Sequence, residues 1–260
     1  MTKLEKLKAD LRGLGELAVA FSGGADSSLL LRAAHDALEG RAIGITIRSP
    51  YMSSREIAEA VEFARAYGIR HEILELGVAD EIKDNPENRC YLCKKAVFSR
   101  LIERARELGF SRVADGTNRD DLGEHRPGLK AKEELGVLSP LINLTKAEIR
   151  ELSRELNLPT AEKPSYACLL TRLPHGREID ESELNLIEAA ENLLIASGYA
   201  NVRARCDRKN IKLQMPFASM QSFLNDAKFR SVVRQLVRLG AAEVTLDLKG
   251  LREDVLHERG

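Results

Sequence analysis

The stretch that most constrains how this chain can fold is Ser22-Gly23-Gly24-Ala25-Asp26-Ser27-Ser28. It follows a short apolar run at 17–21, Leu-Ala-Val-Ala-Phe, and opens onto Leu29-Leu30-Leu31. The pattern predicts a buried strand, a tight turn and a helix. Two adjacent glycines permit positive φ and a close approach of backbone to a ligand. Successive N–H groups can then face one concavity at a helix N-terminus, where anions are favoured. Ser22, Ser27 and Ser28 can add hydroxyl donors, whereas Asp26 cannot donate to a phosphate and is expected to hold a magnesium ion or to orient the turn. No Gly-Lys-Ser/Thr follows, which separates the stretch from loops that grip terminal phosphates. A serine-rich turn that merely caps a helix is the plainer alternative.

Around this stretch the chain alternates. A helix is expected at 3–14, strands at 42–47, 71–76 and 112–115, a helix opened by the capping box Ser53-x-x-Glu56 and bearing Ile57, Ala60, Val61 and Ala64, and another from Thr145-x-x-Glu148 to about 156. Strands alternating with helices imply right-handed crossovers, an α/β fold with a parallel sheet, and ligands gathered beyond the strand carboxyl ends. The serine-glycine turn falls at such an end, and so does Asp115-Gly116-Thr117-Asn118-Arg119-Asp120-Asp121. Pro159, Pro164 and Pro174 punctuate a long loop over 157–179. Beyond it a helix at 180–197, strands near 200–206, 211–215 and 244–248, and helical material over 217–239 read as a small α+β domain. The expected division is 1–160, an active-site loop at 161–179, and 180–260 for substrate binding or oligomerisation.

A length of 260 residues accommodates one large domain and a smaller one. With 40 basic and 40 acidic residues the net charge is zero, which argues against a protein that wraps nucleic acid. No apolar run approaches the ~18 residues of a membrane span, and the first residues lack a signal peptide's apolar core, so a cytoplasmic location is expected.

In such a compartment four cysteines read as thiols or metal ligands rather than disulfides. Cys90 and Cys93 stand three apart among Arg89, Lys94 and Lys95, where positive charge favours thiolate; a redox pair or half a zinc site would look the same. Cys168 lies in Lys163-Pro164-Ser165-Tyr166-Ala167-Cys168-Leu169-Leu170-Thr171-Arg172. A single cysteine is commonly a buried structural one, but a loop thiol beside an arginine suits a nucleophile. Arg203 and Arg205, at alternate positions of an expected strand, would share one face and could meet a phosphate or carboxylates; a solvated edge is the alternative.

The serine-glycine stretch resembles the pyrophosphate loop of the ATP pyrophosphatases, which include GMP and NAD synthetases and tRNA thiolation enzymes. With G-T-N-x-D-D at 116–121, R-P-G at 126–128, R-C-Y-x-C-K at 89–94, K-P-S-x-A-C-L-x-T-R at 163–172 and V-T-L-D-L at 244–248, nearly the whole chain resembles the LarE family. These are ATP-dependent sulfurtransferases acting on pyridinium biscarboxylate mononucleotide in nickel-pincer nucleotide cofactor synthesis. The resemblance implies the adenine nucleotide alpha hydrolase (HUP/PP-loop) fold, with Ser22, Gly23, Gly24, Asp26, Ser27 and Ser28 holding ATP's phosphates and Mg2+. Gly116, Thr117 and Asn118 would lie close by, and Asp120, Asp121, Arg126, Arg172, Arg203 and Arg205 would serve the acceptor substrate, a small-molecule nucleotide. Cys168 matches a cysteine that in one branch gives up its own sulfur and becomes dehydroalanine. In another branch three cysteines, here Cys90, Cys93 and Cys168, would hold a [4Fe-4S] cluster carrying an extra sulfide. A homo-oligomer, hexameric, is also implied. A tRNA thiolase and a non-catalytic nucleotide-binding module are the competing functions. The region after Arg205 departs from the family pattern, with Cys206-Asp207-Arg208 and Ile211-Lys212-Leu213-Gln214 where histidines, a glycine and A-R-I-E are usual.

Overall fold

The computed structural model describes residues 1–123 and 127–251. The chain divides into two compact units, Met1–Tyr166 and Ala167–Gly260. In the first, α1 (Lys3–Arg12) leads to β1 (Leu17–Ala20), α2 (Ala25–Leu38), β2 (Ala42–Arg48), α3 (Ser54–Ala66), β3 (His71–Glu75), α4 (Arg89–Glu107), β4 (Val113–Ala114), α5 (Pro127–Glu134) and α6 (Lys146–Glu155). The four strands form a wholly parallel sheet in the order β3-β2-β1-β4.

Apolar residues of opposite parity feed opposite faces of that sheet, which is why β1 and β2 read as continuous hydrophobic runs. Leu17, Val19 and Phe21 pack with α1, α2, α3 and α6, while Ala18, Ile43 and Ile45 pack with Phe98, Leu101 and Ala105 of α4. The expected α/β parallel-sheet class is therefore the observed one. Among the described residues no helix is long and apolar enough to cross a membrane.

Several local expectations change. The helix after the serine-glycine turn begins at Ala25, so Asp26, Ser27 and Ser28 belong to its first turn. The Thr145/Glu148 capping box forms, but Ser53 makes no side-chain cap bond, and Val61 is exposed while Phe63 takes the buried place. Residues 89–107, which carry Cys90 and Cys93, are a 19-residue helix with no counterpart in the sequence reading. Its eight charged residues obscure the stripe of Val97, Phe98, Leu101 and Ala105.

The second unit begins with a single 3-10 turn, Leu169–Arg172, followed by α7 (Glu181–Ala196), β5 (Arg203–Asp207), β6 (Asn210–Gln214), α8 (Phe217–Asn225), α9 (Phe229–Arg238) and β7 (Glu243–Leu246). β5 and β6 form a hairpin whose two turn residues, Arg208 and Lys209, both have positive φ, and β7 adds in parallel to β6. Leu184, Ile187, Ala190 and Leu194 supply the buried stripe of α7.

At the centre of this unit lies an ion pair with no solvent access. Arg172 and Glu191 have side chains 1% and 0% exposed and meet through two parallel bonds, Nε to Oε1 at 2.8 Å and Nη2 to Oε2 at 3.1 Å. Glu191 Oε1 also accepts from the Ala204 amide at 2.8 Å, which pins α7 to β5. Removing one member leaves the other charged and buried. We expect Arg172→Met or Glu191→Ala to cost roughly 3–5 kcal/mol of stability, read from urea unfolding, with the double substitution costing less than the sum.

Candidate active site

The serine-glycine turn sits at the carboxyl end of β1. Gly23 has φ of +72°, while Gly24 is the extended N-cap of α2, so one glycine rather than two supplies the left-handed residue. A side chain at Gly23 would be strained by that φ, and its Cβ would also stand 3.1 Å from Cβ of Ala60 on α3. Hydroxyls knit the turn: the Ser22 amide and Oγ meet Ser27 Oγ at 3.3 and 3.1 Å, and Ser27 Oγ donates to the Gly24 carbonyl at 3.3 Å. The first amides of α2 have no partner within their helix and carry its positive end. Ser28 Oγ, fully buried, also lacks a hydrogen-bond partner.

The loop after β4 closes on this turn. A Cβ at Gly116 would lie 2.9 Å from the Ser27 amide nitrogen and 3.1 Å from the Asp26 carbonyl carbon, so only glycine allows the contact. Asp115, Thr117 and Asn118 beside it are buried. Asp115 accepts from Thr117 Oγ1 at 2.7 Å, from Ser139 Oγ at 3.0 Å and from the buried ammonium of Lys132. Burial pulls Lys132 below its ordinary pKa, and Asp115 opposes that shift. Asp121 accepts from the Asn118 amide at 3.0 Å and Asp120 from the Lys146 amide at 2.8 Å, so both carboxylates shape the loop. Arg126 lies outside the described residues.

Two lysines stand at the turn that the sequence reading did not place there. Lys146, the first residue of α6, reaches both carboxylate oxygens of Asp26, at 2.7 and 2.5 Å. A lysine in the first turn of a helix opposes the dipole, and that was the available signal. Lys163 donates to the Gly23 carbonyl at 2.9 Å and pairs with Glu56 at 3.0 Å and Glu59 at 2.6 Å.

Beneath the turn, Thr46 Oγ1 donates to the Phe21 carbonyl at 2.6 Å and meets His71 Nε2 at 2.8 Å. Burial lowers the His71 pKa from its ordinary 6.5, with Glu72 pulling the other way.

The cysteines fall into three settings. Cys90 is exposed in the first turn of α4, and Cys93 is one turn on, with its thiol 3.5 Å from the Tyr51 hydroxyl. Burial pushes the Cys93 thiol up, and the Tyr51 bond and Lys94 offset this only in part. Cys206 is buried, its pKa raised to about 12 by burial and Glu183. Cys168, half-buried, caps the 3-10 turn of the second unit. Its carbonyl accepts from Thr171 Oγ1 at 2.9 Å and from Arg172 Nη1 at 3.4 Å, and the same Nη1 reaches the Ala167 carbonyl at 3.0 Å. Arg203 and Arg205 share one face of β5, with Arg205 donating to Gln214 at 2.6 Å and to the Thr171 carbonyl at 3.1 Å. Among the described residues no three His, Cys, Asp or Glu side chains are gathered as a metal-holding group.

No protein-family model matches the chain. It is 36% identical to an uncharacterized protein of Synechocystis sp., over 98% of this chain and 97% of that one. It is 33% identical to the pyridinium-3,5-bisthiocarboxylic acid mononucleotide synthase of Lactiplantibacillus plantarum, over 99% and 94% respectively. More distant matches are a glutamine-hydrolyzing GMP synthase polypeptide of Thermoplasma volcanium, 26% identical over 74% of this chain and 67% of that one, and a tRNA-specific 2-thiouridylase of Caldanaerobacter subterraneus, 28% over 56% of this chain and 52% of that one. The parallel sheet with its glycine turn defines the first unit as an α/β domain of the PP-loop class. The chain as a whole belongs to the LarE family, that of the Lactiplantibacillus synthase.

Two outcomes follow from this geometry. Gly116→Ala should displace the first turn of α2 and cost about 1–3 kcal/mol by overpacking, with loss of nucleotide binding measurable by calorimetry. His71, harder to protonate folded than unfolded, contributes stability at neutral pH that is lost as pH falls below about 6.5. Thermal midpoints against pH should show this decline, and His71→Gln should flatten it.

Proposed function

We propose that the chain adenylates a carboxylate of a pyridinium biscarboxylate mononucleotide with ATP and replaces the activated oxygen with sulfur. The observation that carries this reading is the turn: a left-handed glycine feeding the amides of α2, with an acidic residue and two lysines alongside. The synthase named for the relative of 33% identity supports the choice of acceptor.

The first step is electrostatic. Substrate carboxylate oxygen attacks the α-phosphorus, the bond to the bridging oxygen breaks, and pyrophosphate departs into the amides at Gly24–Ser27. Asp26 is the residue that would hold magnesium, which when bound neutralises phosphate charge. Its carboxylate, met by Lys146 at both oxygens, has further lone pairs that a hard cation could share. The second step needs a thiolate. Cys168 Sγ attacks the acyl carbon and AMP leaves with the bonding pair, giving a thioester. Loss of the Cα proton of residue 168 and cleavage of its Cβ–Sγ bond then leave a thiocarboxylate on the nucleotide and dehydroalanine in the chain. In this reading Arg203 and Arg205 meet the acceptor's anionic groups.

The alternative sulfur carrier, a cluster on Cys90, Cys93 and Cys168, has the right kind of donors. Cys90 and Cys93, one turn apart on α4, would supply two of its thiolates and Cys168 the third. No step is derived through it.

Incubation of the full chain with ATP, Mg2+ and the biscarboxylate nucleotide should release pyrophosphate and lower the intact mass by one hydrogen sulfide at Cys168. Cys168→Ser should keep pyrophosphate release and form no thiocarboxylate. Thiolated product from a chain of unchanged mass would overturn the role of Cys168, and no pyrophosphate from any pyridinium carboxylate would overturn the reading itself.

A further inference from the structure

Lys163 touches the turn without facing its anion side. It stands on α3, where Glu56 and Glu59, one turn apart, present their carboxylates on one face. Both are within 3.0 Å of Nζ, and the third donor of the ammonium goes to the Gly23 carbonyl at 2.9 Å. The side chain is 13% exposed, and its charge is met by two carboxylates rather than kept for a ligand.

The consequence runs through one peptide plane. Among the described residues every peptide bond is trans, so the Gly23 carbonyl and the Gly24 N–H point in opposite directions. With the oxygen drawn to Lys163 above α3, the Gly24 N–H is turned away from α3. There it meets Ser22 Oγ at 3.4 Å, the long limit of a hydrogen bond, and Ser22 Oγ in turn meets Ser27 Oγ of the first turn of α2 at 3.1 Å. Both flanking residues are glycine and accept φ of either sign, so this plane is easily reversed. Reversal would point a carbonyl oxygen at an incoming phosphate.

We infer that Lys163 is a positioning residue that locks the Gly23–Gly24 peptide with its N–H facing the pyrophosphate site, acting through the backbone and not as a phosphate ligand. This rests on the function proposed above. It also gives the Lys163-Pro164-Ser165 segment, five residues upstream of Cys168 in sequence, a task at the turn. Glu56 and Glu59 hold the ammonium in place, and Ala60 under Gly23 fixes the height at which the carbonyl meets it.

The test uses inorganic pyrophosphate and the full chain, with calorimetry for affinity and the 15N–1H resonance of Gly24 for geometry. In the wild-type chain the Gly24 amide proton should move downfield on titration. Lys163→Met should weaken pyrophosphate at least about tenfold, the factor expected for one misdirected charge-assisted hydrogen bond. It should also shift Gly24 before any ligand is added. Lys163→Arg, which can still bridge the carbonyl and the two carboxylates, should stay within about threefold of wild type. A Gly24 resonance unmoved by pyrophosphate in the wild type would overturn the inference even if Lys163→Met fails to fold. So would a Lys163→Met chain that binds as tightly as wild type, or one that binds weakly with Gly24 unshifted, the mark of a direct charge contact. A wild-type chain binding neither pyrophosphate nor ATP would instead remove the proposed function, and the inference with it.

Discussion

The approach of two backbones at Gly116 governs the first unit. Where the loop after β4 meets the first turn of α2 there is no space for a methyl group, and this contact sets how far the helix amides stand from the neighbouring strand end. It works because β1 and β4 pair directly, through Ala18 with Val113 and Val19 with Ala114, so two loops leave adjacent strand ends side by side. A buried knot of Asp115, Thr117 and Lys132 then holds the second loop against the first. The proposed anion site is thus made chiefly of main chain, and side chains serve to aim it.

Charge around the site is balanced at short range. Lys146 answers Asp26, Lys163 answers Glu56 and Glu59, and Lys132 answers Asp115. Each of these three ammonium groups is thus met by at least one carboxylate, in keeping with a chain of zero net charge. The arrangement accords with a small nucleotide as ligand.

What the sequence made legible follows from period and punctuation. The alternation of apolar runs announced the parallel sheet, because strands buried on both faces carry no competing polar pattern. The glycine turn and the loop at Asp115–Asp121 were legible because their residue types are chemically demanding. The 89–107 helix was hidden by its many basic residues, whereas Ser53 does stand at the N-cap of α3 but Glu56 pairs with Lys163. Lys146 and Lys163 were missed for a different reason: 120 and 140 residues separate them from Asp26 and Gly23, and only the tertiary fold brings them together. For Cys93 a count of neighbouring cations leaves out burial, the largest influence on its thiol, which the sequence does not display.

The frame around residue 168 has a further property. Arg172 and Thr171 grip the main-chain carbonyls of residues 167 and 168, and Arg172 is anchored in turn by Glu191. None of these bonds involves the sulfur atom. A substitution at position 168 that keeps the tetrahedral α-carbon would therefore leave each of these bonds its donor and its acceptor, so the backbone of the turn is specified by its neighbours.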